Sequence, residues 1–378
     1  MTMHDATPAR ASATHGNRVI SVDLDTVPHV DELLDRAGLG VFDRETVTSP
    51  IGRNTSWRGR TTSGRDVFVK HLTGHGADRR YRRSVGFETF VAAQSAGAIA
   101  SPALLASDEE SCLLVFELVT DTTTGGDLMV AEAFTEQHAG DLGTMLGELH
   151  EGKAPAGLVM DDSPPSLPPL GYFEGLSLDT YLEASAAELE AWQLLQDDDE
   201  LIAALRRLRE WESAAEGRPS HGDFRVDQVL FHEDRPYLAD WEEFRLADPA
   251  RDVGAFVGEW LFRAMLDLVT NRGDSDFVDL EFTHELVIER GTAKLERLLP
   301  LISAFLTSYF RRRGEIDADF STRATGFAGW HLIDRLIAGA ASSHRLTGVQ
   351  RASAGVGRNA VLFPDRFSQI FGFEEAAA

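Results

Sequence analysis

Cysteine is almost missing from these 378 residues, and the single one, Cys112, lies in the apolar run Cys112-Leu113-Leu114-Val115-Phe116. There it reads as a core filler rather than a nucleophile, and one cysteine excludes any intrachain disulfide framework. Long hydrophobic runs are missing too, since none approaches the ~20 residues that a membrane span needs. Residues Met1–Asn17 are polar and lack the apolar centre of a secretion signal. Positions 1–18 are therefore expected to form a disordered arm, and the chain to work in the cytoplasm without a membrane. Positive charge is scarce: 36 Lys and Arg stand against 61 Asp and Glu, a net charge of -25. Such a field repels nucleic acid and anionic membranes and concentrates cationic acceptors. The 12 histidines include no pair at metal-ligand spacing such as H-E-x-x-H.

What is present is an ordinary globular composition, 43% hydrophobic and 26% charged, on a chain long enough for two lobes with their own cores. Strand patterns cover residues 45–72: Thr46-Val47-Thr48, a glycine-containing turn, then the alternating Asp66-Val67-Phe68-Val69-Lys70. Helical spacing follows from Arg79 to Ala96, with Gly97 as a stop. A strand pair ends in Leu113–Leu118, and Thr122–Gly126 reads as a loop or linker. Leu142, Met145, Leu146 and Leu149 predict a buried helix over Asp141–His150. A proline-rich loop at Ser163–Pro169 precedes helices over Asp179–Glu216, with Asp197-Asp198-Asp199-Glu200 as a solvated turn between them. Residues 220–245 are strand-rich, and helices dominate from Val253 onward, including Leu280–Arg311 and Thr322–Arg345. The sum is an α+β chain: a small β-rich lobe followed by a large helical one.

The chemistry concentrates in His221-Gly222-Asp223-Phe224-Arg225-Val226-Asp227-Gln228, then Val229-Leu230-Phe231 and Leu238-Ala239-Asp240-Trp241-Glu242. Asp240 follows Asp223 by 17 residues with two short strand-like runs between, so a hairpin can bring both carboxylates to one edge. Phosphoryl transfer needs such a pair, one acid to orient or deprotonate a hydroxyl and one to hold magnesium on the phosphates. Upstream, Lys70 ends a strand and Glu88 sits in the next helix, a pairing that would hold ATP phosphates. Gly52-Arg53-Asn54-Thr55-Ser56-Trp57 forms a turn between two strands, suited to covering phosphates with backbone amides. Each piece alone has an ordinary explanation: an exposed strand lysine, a surface helix charge, simple turn chemistry. Their order together points to a kinase.

These motifs resemble the aminoglycoside phosphotransferase and choline kinase family, which shares the protein-kinase-like bilobal fold; the resemblance runs from the first strands to about Val257. It implies a nucleotide-binding lobe over residues 19–118 and a catalytic, acceptor-binding lobe over 119–378. It implies ATP and Mg2+ as cofactors, with Asp223 as catalytic base and Asp240 as metal ligand. Gly52, Asn54, Lys70, Glu88, Glu117 and Leu118 would contact the nucleotide, with His221 in structural support. Asp252 matches the buried acid that braces the family's catalytic loop, or equally is a helix N-cap. Gln228 stands where the family has asparagine as second metal ligand, one methylene longer. Arg225 forms an Asp-x-Arg spacing like the Asp-x-Lys of Ser/Thr kinases; it either stabilises the transferred group or makes a solvent-facing salt bridge.

More narrowly, Ser49–Gly59 and Gly64–Lys70 resemble the kinase subunits of class V lanthipeptide synthetases. That implies a ribosomally made precursor peptide as substrate, phosphorylated on Ser or Thr, and a partner lyase or cyclase. The cluster Arg79-Arg80-Tyr81-Arg82-Arg83 could dock an acidic leader peptide or simply be a solvated helix face. The alternatives are an aminoglycoside or other small-molecule kinase, which the acidity favours, and a non-catalytic pseudokinase. Only Gln228 supports the last, against Lys70, Glu88, Asp223 and Asp240.

Overall fold

The computed structural model describes residues 19–20, 24–50, 54–95, 97–267, 284–314, 316–341 and 343–377. The alternation at Asp66–His71 (β4) places Val67 and Val69 on one buried face. That strand sits inside a four-stranded antiparallel sheet with Thr55–Arg60 (β3), Leu104–Asp108 (β5) and Leu113–Glu117 (β6), in the order β3-β4-β6-β5. Trp57, Val67, Val69, Leu113 and Val115 pack against Val30, Leu33 and Leu34 of helix His29–Arg36 (α1). Val19–Ile20 (β1) and Ser49–Pro50 (β2) pair at the margin. Of the strand read at Thr46–Thr48, Thr48 alone bridges, to Arg58.

Helix Ala77–Val91 (α2) connects the lobes. Tyr81 packs with Leu72 and Leu114 of the sheet, whereas Phe87 stacks on Trp241 of the second lobe at 3.5 Å. The segment Thr122–Gly126 is not a linker. Thr123–Thr124 (β7) pairs with Val229–His232 (β9), and Thr124 then caps Gly125–Val130 (α3) by accepting from the Asp127 amide at 3.0 Å. A two-residue strand has no periodicity to detect; its partner alone defines it.

In the second lobe, Glu136–Glu151 (α4) buries Leu142, Met145, Leu146 and Leu149. Leu170–Glu174 (α5), Leu178–Glu183 (α6), Ala186–Gln196 (α7) and Asp199–Ala214 (α8) follow. The acidic turn before α8 is more than a solvated one: Asp198 caps α8 through the Leu201 amide at 3.0 Å and binds Arg358. Arg218–Ser220 (β8) pairs with Arg245–Ala247 (β11). β9 turns through Glu233 and Asp234, both left-handed, into Arg235–Leu238 (β10), the two-residue hairpin geometry. The remaining helices are Ala250–Leu266 (α9), His284–Arg313 (α10), Phe320–Ala340 (α11), Gly348–Leu362 (α12), Pro364–Ile370 (α13) and Phe373–Ala377 (α14). The first residues of the helix read from Leu280, positions 280–283, lie outside the described residues. Among those described, no helix is long and apolar enough to cross a membrane.

Candidate active site

β8 delivers the chain to His221-Gly222-Asp223, where three features fix the turn. Gly222 has φ +82, and a Cβ there would lie 2.5 Å from the Glu243 carbonyl oxygen, so both conformation and room demand glycine. Phe224, 1% exposed, anchors the next residue in a core containing Phe256 and Phe305. Asp252, fully buried in the first turn of α9, accepts the amides of His221 at 2.7 Å and Gly222 at 2.9 Å. It is therefore the brace and not the cap; Pro249 holds the N-cap position. His150 supports the brace from α4, with Nε2 3.2 Å from Asp252 and Nδ1 2.8 Å from the Tyr309 hydroxyl of α10. Burial alone would raise the Asp252 pKa, but the hydrogen bonds from His150 and the His221 amide outweigh it and hold the carboxyl below its usual range. Burial lowers the pKa of His221. As a neutral ring it donates from Nε2 to the Ala239 carbonyl at 2.9 Å and accepts the Asp223 amide at Nδ1, 3.3 Å.

Asp223 keeps 46% of its side chain open to solvent but stands in a crevice of protein groups. Burial there, with a smaller push from Asp240, raises its pKa to about 7 against the pull of Arg225. Arg225 lies 3.5 Å from Asp223 and 3.3 Å from Asp227, with its side chain only 21% exposed. It is thus not the solvent-facing salt bridge that the spacing also allowed. Gln228 joins the two motif segments through its backbone, its carbonyl accepting the Ala239 amide at 2.9 Å.

Opposite, Asp240 adopts the left-handed conformation at φ +68, uncommon for a residue with a Cβ. Its carboxylate contacts Lys70 Nζ, which also lies 3.0 Å from Glu242. Burial works against the charge on Lys70, yet the two carboxylates outweigh it and its pKa is raised. Glu242 in turn accepts from Asn54 Nδ2 at 2.9 Å and faces Arg80 at 3.5 Å, while Arg80 donates to Asn54 Oδ1 at 2.8 Å and to the Thr73 carbonyl at 2.6 Å.

Several expectations change here. The partners of Lys70 are Asp240 and Glu242, not Glu88. Glu88 is half-buried beside the Leu104 amide, and burial pushes its pKa up to about 7. The arginine cluster is no continuous patch. Arg80 and Arg83 are buried, Arg83 binding Asp161 and Glu243 at 2.8 Å each. Arg82 is tied to Asp78, which leaves Arg79 and Arg82 exposed. The amides of Glu117 and Leu118 are used within the lobe, by the carbonyls of Ala103 at 2.8 Å and Asp66 at 3.1 Å. Gly52 lies outside the described residues. The bridging role of Glu242 and the pair Glu259–His331 had no local signal; both join residues far apart in the chain.

Among the described residues, no three His, Cys, Asp or Glu side chains converge as a metal site. Magnesium does not ask for such a cage, because it binds through one or two carboxylates together with waters and phosphates. Asp240, already contacting a cation, and Gln228 on the adjoining segment fit that mode.

Two solved structures share the fold across almost the whole chain. Amicoumacin kinase hAmiN, in complex with AMP-PNP, Ca2+ and Ami, superposes with a TM-score of 0.54 at 16% identity, covering 90% of this chain and 94% of that one. Macrolide 2'-phosphotransferase type I gives a TM-score of 0.50 at 13% identity, covering 86% and 99%. Comparison with curated protein sequences finds no match. The family model of the phosphotransferase enzyme family matches residues 50–285, which include the sheet, the brace and both motif acids. The chain belongs to the phosphotransferase enzyme family.

Proposed function

We propose that this phosphotransferase moves the γ-phosphoryl group of ATP to the hydroxyl of a serine or threonine in a ribosomally made precursor peptide, a partner lyase or cyclase then eliminating the phosphate. The observation that carries the transfer is Asp223, set by the Asp252 brace in a crevice with Arg225 at 3.5 Å. As a carboxylate, Asp223 accepts the hydroxyl proton while the acceptor oxygen bonds to the γ-phosphorus and the bond to ADP breaks. Arg225 places positive charge beside the developing phosphoryl oxygens. Lys70 would exchange its contacts with Asp240 and Glu242 for the nucleotide phosphates, and Asp240 with Gln228 would hold magnesium, which supplies neutralising charge there. The peptide acceptor is supported by the resemblance of residues 49–70 to lanthipeptide synthetase kinases and by Arg225.

A second reading, phosphorylation of an antibiotic or other small molecule, is favoured by the net charge of -25 and by the acceptors that name the two structural neighbours. Incubation with ATP and magnesium against precursor peptides, aminoglycosides and macrolides, read by mass spectrometry, separates the two. Phosphate on Ser or Thr of a peptide is the expected result; phosphate on small molecules alone transfers the assignment to the second reading.

A further inference from the structure

Between Lys153 and Arg206 the sequence holds 11 Asp and Glu and no Lys, Arg or His. Helix α6 lies within that stretch and buries no side chain. Its apolar residues fall at i, i+3 and i+4, one face of a helix, and all stand in solvent: Leu178 is 71% exposed, Tyr181 55% and Leu182 70%. Asp179 and Glu183 border this face one turn apart, exposed and without an ion pair among the described residues. The segment is anchored at both ends. Leu176 packs on the core of Trp192 and Trp330, and Ser177 caps α6 by accepting the Thr180 amide at 3.1 Å. Beyond the helix, Ser185 donates to the Ala340 carbonyl of α11 at 2.8 Å. A helix this short gains little by itself, and apolar groups on its outer face add nothing to the fold. Single exposed apolar side chains are ordinary, but a contiguous set with a polar rim marks a contact surface.

We propose that this face of α6 docks a basic amphipathic helix in the polypeptide that the enzyme phosphorylates, apart from the reacting serine or threonine. The proposal rests on the peptide reading and deepens it by naming what holds the substrate. Leu178, Tyr181 and Leu182 would seat the partner's own i, i+3, i+4 face, while its flanking Lys or Arg side chains meet Asp179 and Glu183. Charge selects against the other occupants. A two-fold contact with a second copy would set those acids against their own counterparts, on a molecule of net charge -25. An acidic segment is no better served by the first lobe, where Arg80 and Arg83 are buried and already held by Asn54, Asp161 and Glu243. A serine side chain gives a pocket little to grip, so a hold on a remote segment lowers KM by raising the local concentration of the acceptor.

Synthetic peptides test this on the full-length enzyme: a Leu/Lys helix with its leucines on one face, its Leu/Glu counterpart, and a scramble of the first. By fluorescence anisotropy the Leu/Lys helix should bind tightest, and more weakly as salt rises. Leu178→Ser with Leu182→Ser should weaken it ~10-fold or more. Asp179→Lys with Glu183→Lys should turn the preference toward the Leu/Glu helix. Both double variants should melt like wild type, because the replaced side chains are exposed. A serine peptide joined to the Leu/Lys helix by a Gly/Ser linker should show a KM ~10-fold or more below that of the serine peptide alone, at the same kcat. The leucine variant should remove that advantage and leave KM for ATP unchanged. Equal binding of the scramble, or binding indifferent to both double variants, overturns the proposal. So does a wild-type dimer that the leucine variant dissolves in sedimentation, which would give the face to a second copy. Linked and free serine peptides phosphorylated alike would sink the docking face and leave the peptide reading standing. A helix bound through α6 with no linked serine or threonine phosphorylated would sink the peptide reading, and with it the substrate as occupant.

Discussion

Asp223 stands nearly half open to solvent and yet holds its proton up to about pH 7, because its surroundings offer the charge less than water would. A base must be deprotonated to work, so kcat/KM should climb as pH rises through about 7 and level off above it. Asp223→Asn should lower turnover by ~10²–10⁴ and abolish that limb while leaving ATP binding near wild type. Turnover against pH for both proteins checks this. Glu88 offers a contrast. Its pKa is also raised to about 7, by burial, with no lysine in contact. A raised carboxylate favours the fold at low pH and loses that contribution as pH climbs from its ordinary value through 7. Glu88→Gln should therefore melt no lower than wild type at pH 8 and bind a non-hydrolysable ATP analogue unchanged, whereas Lys70→Met should weaken that binding. Thermal melts and calorimetry distinguish them; a weakened Glu88→Gln would restore the lysine–glutamate pairing.

At the scale of elements, the site is assembled by three helices that meet at one carboxylate. α9 contributes Asp252, α4 His150 and α10 Tyr309, and together they hold the amides of the motif turn. Asp252→Ala strands two buried donors, each costing ~1–3 kcal/mol. The variant should unfold at lower denaturant and lose turnover more than it loses ATP affinity, as denaturation curves and initial rates will show. How far these elements could be read from the chain depended on distance. The motif from His221 to Glu242 is local, with glycine at the turn and alternating strands after it, and it stood out at once. α4 declared itself through Leu142, Met145, Leu146 and Leu149. β7 did not, because its two threonines gain strand character only by lying along β9. Arg80 and Arg83 looked like surface charge because their partners Asn54, Asp161 and Glu243 come from other elements. Asp252 could be a cap or a brace until the position of the His221 amide was known. The pair of Glu259 and His331 rests on a helix crossing that no sequence window contains.

For the whole molecule, a net charge of -25 means that like charges repel across the folded surface more than they do along an extended chain. Added salt screens exposed charges over ~10 Å at 0.1 M. The melting temperature should therefore rise with sodium chloride through the low-salt range, although individual surface ion pairs weaken. A melting temperature that falls steadily with salt would mean that the ion pairs outweigh the repulsion.

Glu242 belongs to the second lobe but is held by Asn54, Lys70 and Arg80 of the first. Under the proposed function such a tie between lobes is also a clock, because spent nucleotide would leave no faster than the two lobes part. Tightening it would trade speed for grip, and loosening it would shorten each visit of the nucleotide while weakening its hold. On that reading the tempo of the enzyme would be lodged in one buried glutamate that need not touch the phosphate being moved.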